Sequence, residues 1–179
     1  MKPIYLCAVA LLCSLASLAQ PAAIAGSATV CTGSSIPLSD ATPGGTWSSE
    51  NSAVATVDMV GTVTGVATGS VHLTYTTGTS YATKFITVNP TPNTYTLTGV
   101  GSSCVVGGFH ISLSGSNLGI HYQLFSGATA YGGVVPGTGA VIDFGAISIA
   151  GGFTAVGTDG VTGCMTTMSG MAVSPLPAV

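Results

Sequence analysis

The sequence predicts an all-β protein built from two tandem β-sandwich modules behind a signal peptide. Three observations carry this. The 179 residues include 26 Gly and 9 Pro, with abundant Thr and Val, and beyond residue 19 no stretch repeats its apolar positions at the period of an amphipathic helix. Apolar and polar residues alternate instead, as in Val71, Leu73 and Tyr75 against Ser70, His72 and Thr74, the period of a half-buried strand. The pattern breaks at Val88-Asn-Pro-Thr-Pro-Asn93, where two prolines in three residues stop a strand and stiffen a linker.

Met1-Lys2-Pro3 is a short positive start, and Ile4 to Ala19 is apolar with small residues. Ser17-Leu18-Ala19 before Gln20 has the small-x-small form of a cleavage site, so residues 1–19 are read as a secretory signal peptide. An apolar run of about 16 residues is short for a membrane span. Cys13 follows Leu12, not the small residue that a lipid-anchor site wants. No membrane insertion is expected after cleavage.

The first module is expected over residues 20–89, with strands near 28–32, 34–38, 45–48, 53–57, 60–66, 70–76 and 82–88. Trp47 is expected to plug the core between two sheets, since one indole buries a large area. Val57, Val63, Leu73 and Tyr75 are expected beside it. Asn51 and Asp58 suit turns, because their side chains bond local backbone groups. Gly65 and Gly69 bracket Val66-Ala-Thr68 and are expected to supply turn conformations.

After the 90–93 linker, a second module is expected over 94–176. Phe109, Ile111 and Leu113 alternate with His110 and Ser112; Ile120, Tyr122 and Leu124 alternate with His121 and Gln123. With Gly115-Ser-Asn-Leu-Gly119 between them, the two runs read as a hairpin. Further strands are expected near 140–144, 152–158 and 166–173. Residues 174–179, Ser-Pro-Leu-Pro-Ala-Val, have the character of another linker, as if the chain were one phase of a longer repeat array.

The stretch Gly44 to Tyr75, GGTWSSENSAVATVDMVGTVTGVATGSVHLTY, is preceded by VCTGSSIPLSDATP and followed by ATKFITV. It resembles the bacterial Ig-like group 2 family, with its Trp-Ser-Ser turn, Val-Ala-Thr-Val strand, Gly-x-Val-Thr-Gly-Val core and Gly-x-x-x-Leu/Ile-x-Tyr strand. The resemblance covers nearly all of the first module. It implies a β-sandwich of the kind found in tandem in intimin- and invasin-like adhesins and large secreted repeat proteins. In the second module, SLSGSNLGIHYQLF, VPGTGAVIDFG, GGFTAVGTD and GCMTTMSGMAVSPLP resemble a repeat module that accompanies such domains in large surface proteins.

Charge is sparse. Beyond residue 19 one cation, Lys84, faces the chain's five acids, Asp40, Glu50, Asp58, Asp143 and Asp159. A single basic residue cannot neutralise a row of phosphates, so nucleic acid is excluded as a partner. Three histidines, His72, His110 and His121, occupy polar strand positions and are read as solvated. In the expected hairpin His110 and His121 would be offset by about three residues, roughly 10 Å, too far for one small ion. Calcium through Glu50 and Asp58 is a thin alternative, because calcium takes six or more oxygens. There is no Gly-x-Ser-x-Gly, and Gly132-Gly133 and Gly137-Thr-Gly139 have no following lysine. No enzyme activity, metal or cofactor is expected.

Three cysteines follow residue 19. Cys104 opens the second module and Cys164 lies near its close, so a Cys104–Cys164 disulfide is expected to staple that module, worth about 4 kcal/mol by chain entropy. Cys31 is left unpaired. In the resembling family a second cysteine often precedes the last strand, where this chain has Tyr81; Cys31 is then either buried and inert or a link between chains.

The expected role is a non-catalytic structural or adhesive module of a secreted, surface-associated repeat protein. Its partners would be other Ig-like modules or surface and matrix components, with self-association open. The alternative is a carbohydrate- or ligand-binding accessory module, with Tyr95, Phe125 and Tyr131 as candidate exposed aromatics.

Overall fold

The computed structural model describes residues 20–100 and 108–175. The signal-peptide reading of 1–19 and the position of Cys104 fall outside them. The described residues form strands and no helix.

Eight strands precede residue 90: β1 (Ala25–Gly26), β2 (Thr29–Cys31), β3 (Ser35–Ser39), β4 (Thr46–Ser49), β5 (Ala55–Val57), β6 (Thr62–Gly65), β7 (Gly69–Thr77) and β8 (Ser80–Asn89). They form two sheets, ordered β1-β3-β6-β5 and β2-β8-β7-β4. β7 and β8 pair without a register break from Gly69↔Val88 to Thr77↔Ser80. The period-2 pattern therefore puts Val71, Leu73 and Tyr75 with Ala82, Ile86 and Val88 on the inner face. Leu38, Ala55 and Val63 meet them from the other sheet. All seven expected strands of this half form; the two-residue β1 was not anticipated.

Val63 and Leu73 are fully buried and Tyr75 nearly so. Trp47 and Val57 are not in the centre. Both are half-buried and pack against the core from its margin, because β4 is an edge strand and β5 lies at the edge of the opposite sheet. Trp47 instead rests on the Tyr75 ring, with centroids 4.8 Å apart, and over Gly61. There φ is +87°, and a Cβ would strike the Leu38 carbonyl and the indole. Gly65 is a second correction. It ends a strand and is needed for close approach: a Cβ there would lie 2.8 Å from the Cys31 carbonyl oxygen and 2.9 Å from Val88.

Eight more strands follow the linker: β9 (Leu97–Val100), β10 (Phe109–Leu113), β11 (Ile120–Ser126), β12 (Thr129–Pro136), β13 (Ile142–Ile147), β14 (Gly151–Asp159), β15 (Met165–Thr167) and β16 (Ala172–Ser174). One sheet is β13-β10-β9; the other is β12-β11-β14-β15, with β16 also on β14. Their inner faces enclose a second core, centred on Tyr122, Phe153, Ile111, Leu113 and Leu124.

The expected hairpin between 109–113 and 120–124 does not form. β10 pairs with β9 and β13, and β11 with β12 and β14. Residues 114–119 carry the chain from one sheet to the other, which lets Ile111 and Tyr122 face the same core from opposite sides. β11 instead makes its hairpin with β12, a strand hidden in the sequence by Gly132-Gly133. The pairing shifts between Tyr122 and Leu124, and the Gln123 amide bridges the bulge by donating to the Tyr131 carbonyl at 2.8 Å. The single strand expected over 166–173 divides into β15 and β16. Among the described residues, no strand before Pro90 pairs with one after it, and the two cores share no residue.

Candidate functional site

Covalent chemistry concentrates where the two sandwiches meet. Cys31 ends β2, which lies parallel to the end of β8 with Cys31 opposite Asn89. Thr32 fastens this corner, donating both its N–H and its hydroxyl to the Asn89 carbonyl, at 2.9 and 3.2 Å. Cys31 is thus held beside the residue from which the Pro90–Asn93 linker departs.

Cys164 comes from the other sandwich, in the loop between β14 and β15. Asp159 builds that loop. One of its carboxylate oxygens accepts the N–H groups of Val161 and Thr162, each at 2.8 Å, and its own N–H donates to the Cys164 carbonyl. The Thr162 and Val161 N–H groups hold the Asp159 carboxyl below its ordinary value of 3.8. The loop turns the fully buried Cys164 side chain toward the first sandwich. There it is bonded to Cys31, with Cα atoms 5.7 Å apart and a separation of 133 positions in sequence. Asp159, Asn117 and Ile120 also face linker residues Pro90 to Asn93 across a shallow cavity of about 210 Å³.

This corrects both cysteine expectations. Cys164 is bonded to Cys31, not to Cys104, and Cys31 is not unpaired. Three cysteines allow three pairings, and spacing along the chain cannot choose among them. What decides is the placement of the β14–β15 loop and the end of β2 at the same junction, which only the folded topology supplies.

The remaining candidates stay apart. His72 Nδ1 lies 3.1 Å from Glu50 Oε2, and His110 Nδ1 lies 2.9 Å from Asp143 Oδ2, so two of the three histidines have carboxylate partners and are not merely solvated. Partial burial pushes the Asp143 carboxyl up, but the Gly145 N–H and His110 outweigh it and hold it below its ordinary value. Asp58, the other half of the calcium alternative, is committed to its own turn, where it accepts from the Val60 and Thr62 N–H groups at 3.0 and 2.7 Å. The Thr62 N–H holds this carboxyl low in turn. Among the described residues no three His, Cys, Asp or Glu side chains come together as a metal site.

Lys84 is on the core-facing side of β8, and its ammonium donates to the Ile24 carbonyl at 3.1 Å. Of the candidate aromatics, Tyr131 packs edge-on against Phe153 and Tyr95 against the second core, so neither is a free platform. Phe125 is half-buried; among the described residues the exposed aromatics are Tyr81 and Phe85, on the outer face of β8. The Phe85 ring meets His72 at 5.1 Å.

Residues 19–96 match the bacterial Ig-like domain (group 2) family, the span in which the sequence resemblance was found. No curated protein matches the chain. The ligand-binding domain of human OSCAR aligns with 86% of this chain and 96% of its own, at 11% identity and a TM-score of 0.38. Fibronectin(III)-like modules of Clostridium thermocellum CbhA align with 86% and 95%, at 12% and 0.36. Domains 5-6 of the S-layer protein SbsC align with 86% and 98%, at 16% and 0.30. Likenesses this slight carry no inference about role.

Proposed function

We propose that the chain is a non-catalytic structural module of a secreted, surface-associated bacterial protein, working as an extended spacer that presents or joins neighbouring parts. Its units would be the sandwiches at 20–89 and 94–176, joined by 90–93. Adhesion is the finer form of this reading, with surface or matrix components, or further Ig-like modules, as partners. The observation that carries it is the junction: two separate cores held by a proline linker and a disulfide, where the side chains serve geometry and not chemistry. The match of residues 19–96 to a bacterial Ig-like family supports the extracellular setting, as does the disulfide, which persists in oxidising compartments. The test is labelling of intact producing cells with an antibody to the chain, followed by fractionation. Surface or medium signal with intact cells supports the reading; signal only after lysis would overturn it.

A second reading, a carbohydrate-binding accessory module, is favoured by Tyr81 and Phe85. These exposed rings share a sheet face with the His72–Glu50 pair, and sugars stack on aromatics beside polar groups. A glycan array with the wild type and a Phe85→Ala variant tests it; binding lost in the variant would favour it over the spacer.

A further inference from the structure

The Cys31–Cys164 bridge divides the chain topologically. Residues 32–163 lie inside the covalent ring that it closes, and these hold β3 to β14, twelve of the sixteen strands among the described residues. Only β1 and β2 on one side, and β15 and β16 on the other, stand outside it or at its border. Both ends of the chain are outside the ring.

We infer that the bridge makes the two-sandwich unit inextensible between its ends, so that the chain is a tension-bearing element and not merely a spacer. This rests on the structural-module reading above and deepens it. Tension entering before Cys31 leaves through Cys164 across a Cα–Cα step of 5.7 Å. It never runs along the 133 intervals of backbone in parallel with that step, whose extended reach is about 450 Å at roughly 3.4 Å per residue. Both cores can then open without lengthening the unit. Only residues 20–30 and 165–175 of the described chain can be drawn out, about 75 Å in total.

The location of the bridge supports the same role. Cys31 sits opposite Asn89, and the Cys164 loop is built on Asp159, which faces the linker. The sandwiches are therefore joined twice at one place, through the linker and through the sulfurs. One connection would leave a swivel; two side by side remove most of that freedom. A bridge within either sandwich would stabilise that core but leave the other exposed to the load.

The experiment is single-molecule stretching of the chain from Gln20 to Val179 through handles at its two ends, first without reductant and then with it. The expected result is an extension under about 100 Å in the oxidised protein and a gain of about 450 Å after reduction, a change of more than fourfold. A Cys31→Ser/Cys164→Ser double variant is expected to give the long trace without reductant; if it does not fold, the reduced wild type carries the same test. A long trace from the oxidised wild type would overturn the inference. So would an oxidised extension of about 330 Å, which marks a Cys104–Cys164 bridge with the first sandwich in the line of force. These outcomes do not depend on where the cell places the protein, so failure here and failure of the surface reading are distinguishable.

Discussion

The two sandwiches place their aromatic weight differently. In the second, Tyr122 and Phe153 are fully buried at the centre, and the ladders around them shift register between His110 and Ser112 and again between Tyr122 and Leu124. In the first, the fully buried centre is aliphatic, made by Leu73, Ile86, Val63 and Val88, while the half-buried Trp47 packs at a tilt on the Tyr75 ring from the margin. Its longest ladder is unbroken, and so is the β11–β14 ladder that carries Tyr122 and Phe153; the shifts of the second half fall on the flanking ladders. The contrast teaches that one architecture can be centred on aliphatic side chains in one half and on aromatic rings in the other, so the halves should respond differently to loss of an aromatic.

The largest expected effect is at the second centre. Tyr122→Ala or Phe153→Ala should destabilise that sandwich by about 3–5 kcal/mol, the cost of deleting a fully buried ring, enough to unfold many small domains. Trp47 is the protein's single tryptophan, so its fluorescence reports on the first sandwich alone and should stay native in these variants. Simultaneous loss of the Trp47 signal would mean that the two cores are not separate.

Trp47→Ala should cost less, about 1.5–3 kcal/mol, because only part of the indole is withdrawn from water. Urea titration followed by circular dichroism measures it. A cost equal to that of Phe153→Ala would put Trp47 back at the centre.

The contrast between the halves also explains what the sequence could reveal. Seven strands of the first half were legible because alternation there is uninterrupted and turn residues such as Asp58 fall between the runs. In the second half Gly132-Gly133 conceals β12, and 114–119 reads as a hairpin turn although it crosses between sheets. Alternation gives the phase of a strand but not its neighbour, so Ile111 and Tyr122 were legible as inward residues while their sheet partners were not. Trp47 was legible as a packing residue but not as a marginal one, since edge and central strands differ only in pairing. The disulfide was least legible. Cys31 and Cys164 are brought together by contacts that no local pattern encodes.

A smaller pair of effects sharpens the comparison through two tyrosine hydroxyls. Tyr75 donates to the Thr42 carbonyl at 2.7 Å and accepts from the Gly45 N–H at 2.9 Å; Tyr122 accepts from the Asn117 N–H at 2.9 Å. Tyr75→Phe should cost about 1–2 kcal/mol and Tyr122→Phe about 0.5–1.5, following the bonds removed. Thermal melts of the two variants in parallel decide the order, and the reverse ranking would contradict it.

The smallest effect is acid sensitivity. Asp58, Asp143 and Asp159 all have carboxyls held below 3.8 in the folded chain. A depressed folded value contributes stability that is present above the unfolded value and lost as pH falls through the folded one. Melting temperature should therefore drop on these groups' account only below about pH 4. Asp58→Asn should flatten that limb for the first sandwich, and Asp143→Asn and Asp159→Asn for the second. A loss that begins near neutrality and is removed by these changes would contradict the assignment.

Two separately packed sandwiches are joined by a linker and by the Cys31–Cys164 bridge, and non-reducing peptide mapping of the purified chain tests this most directly. Digestion without reductant, with free thiols blocked beforehand, should yield one cross-linked species containing Cys31 and Cys164, which separates into its two peptides on reduction. A cross-link between Cys104 and either of these residues would contradict the account, because the junction would then lack its second covalent connection.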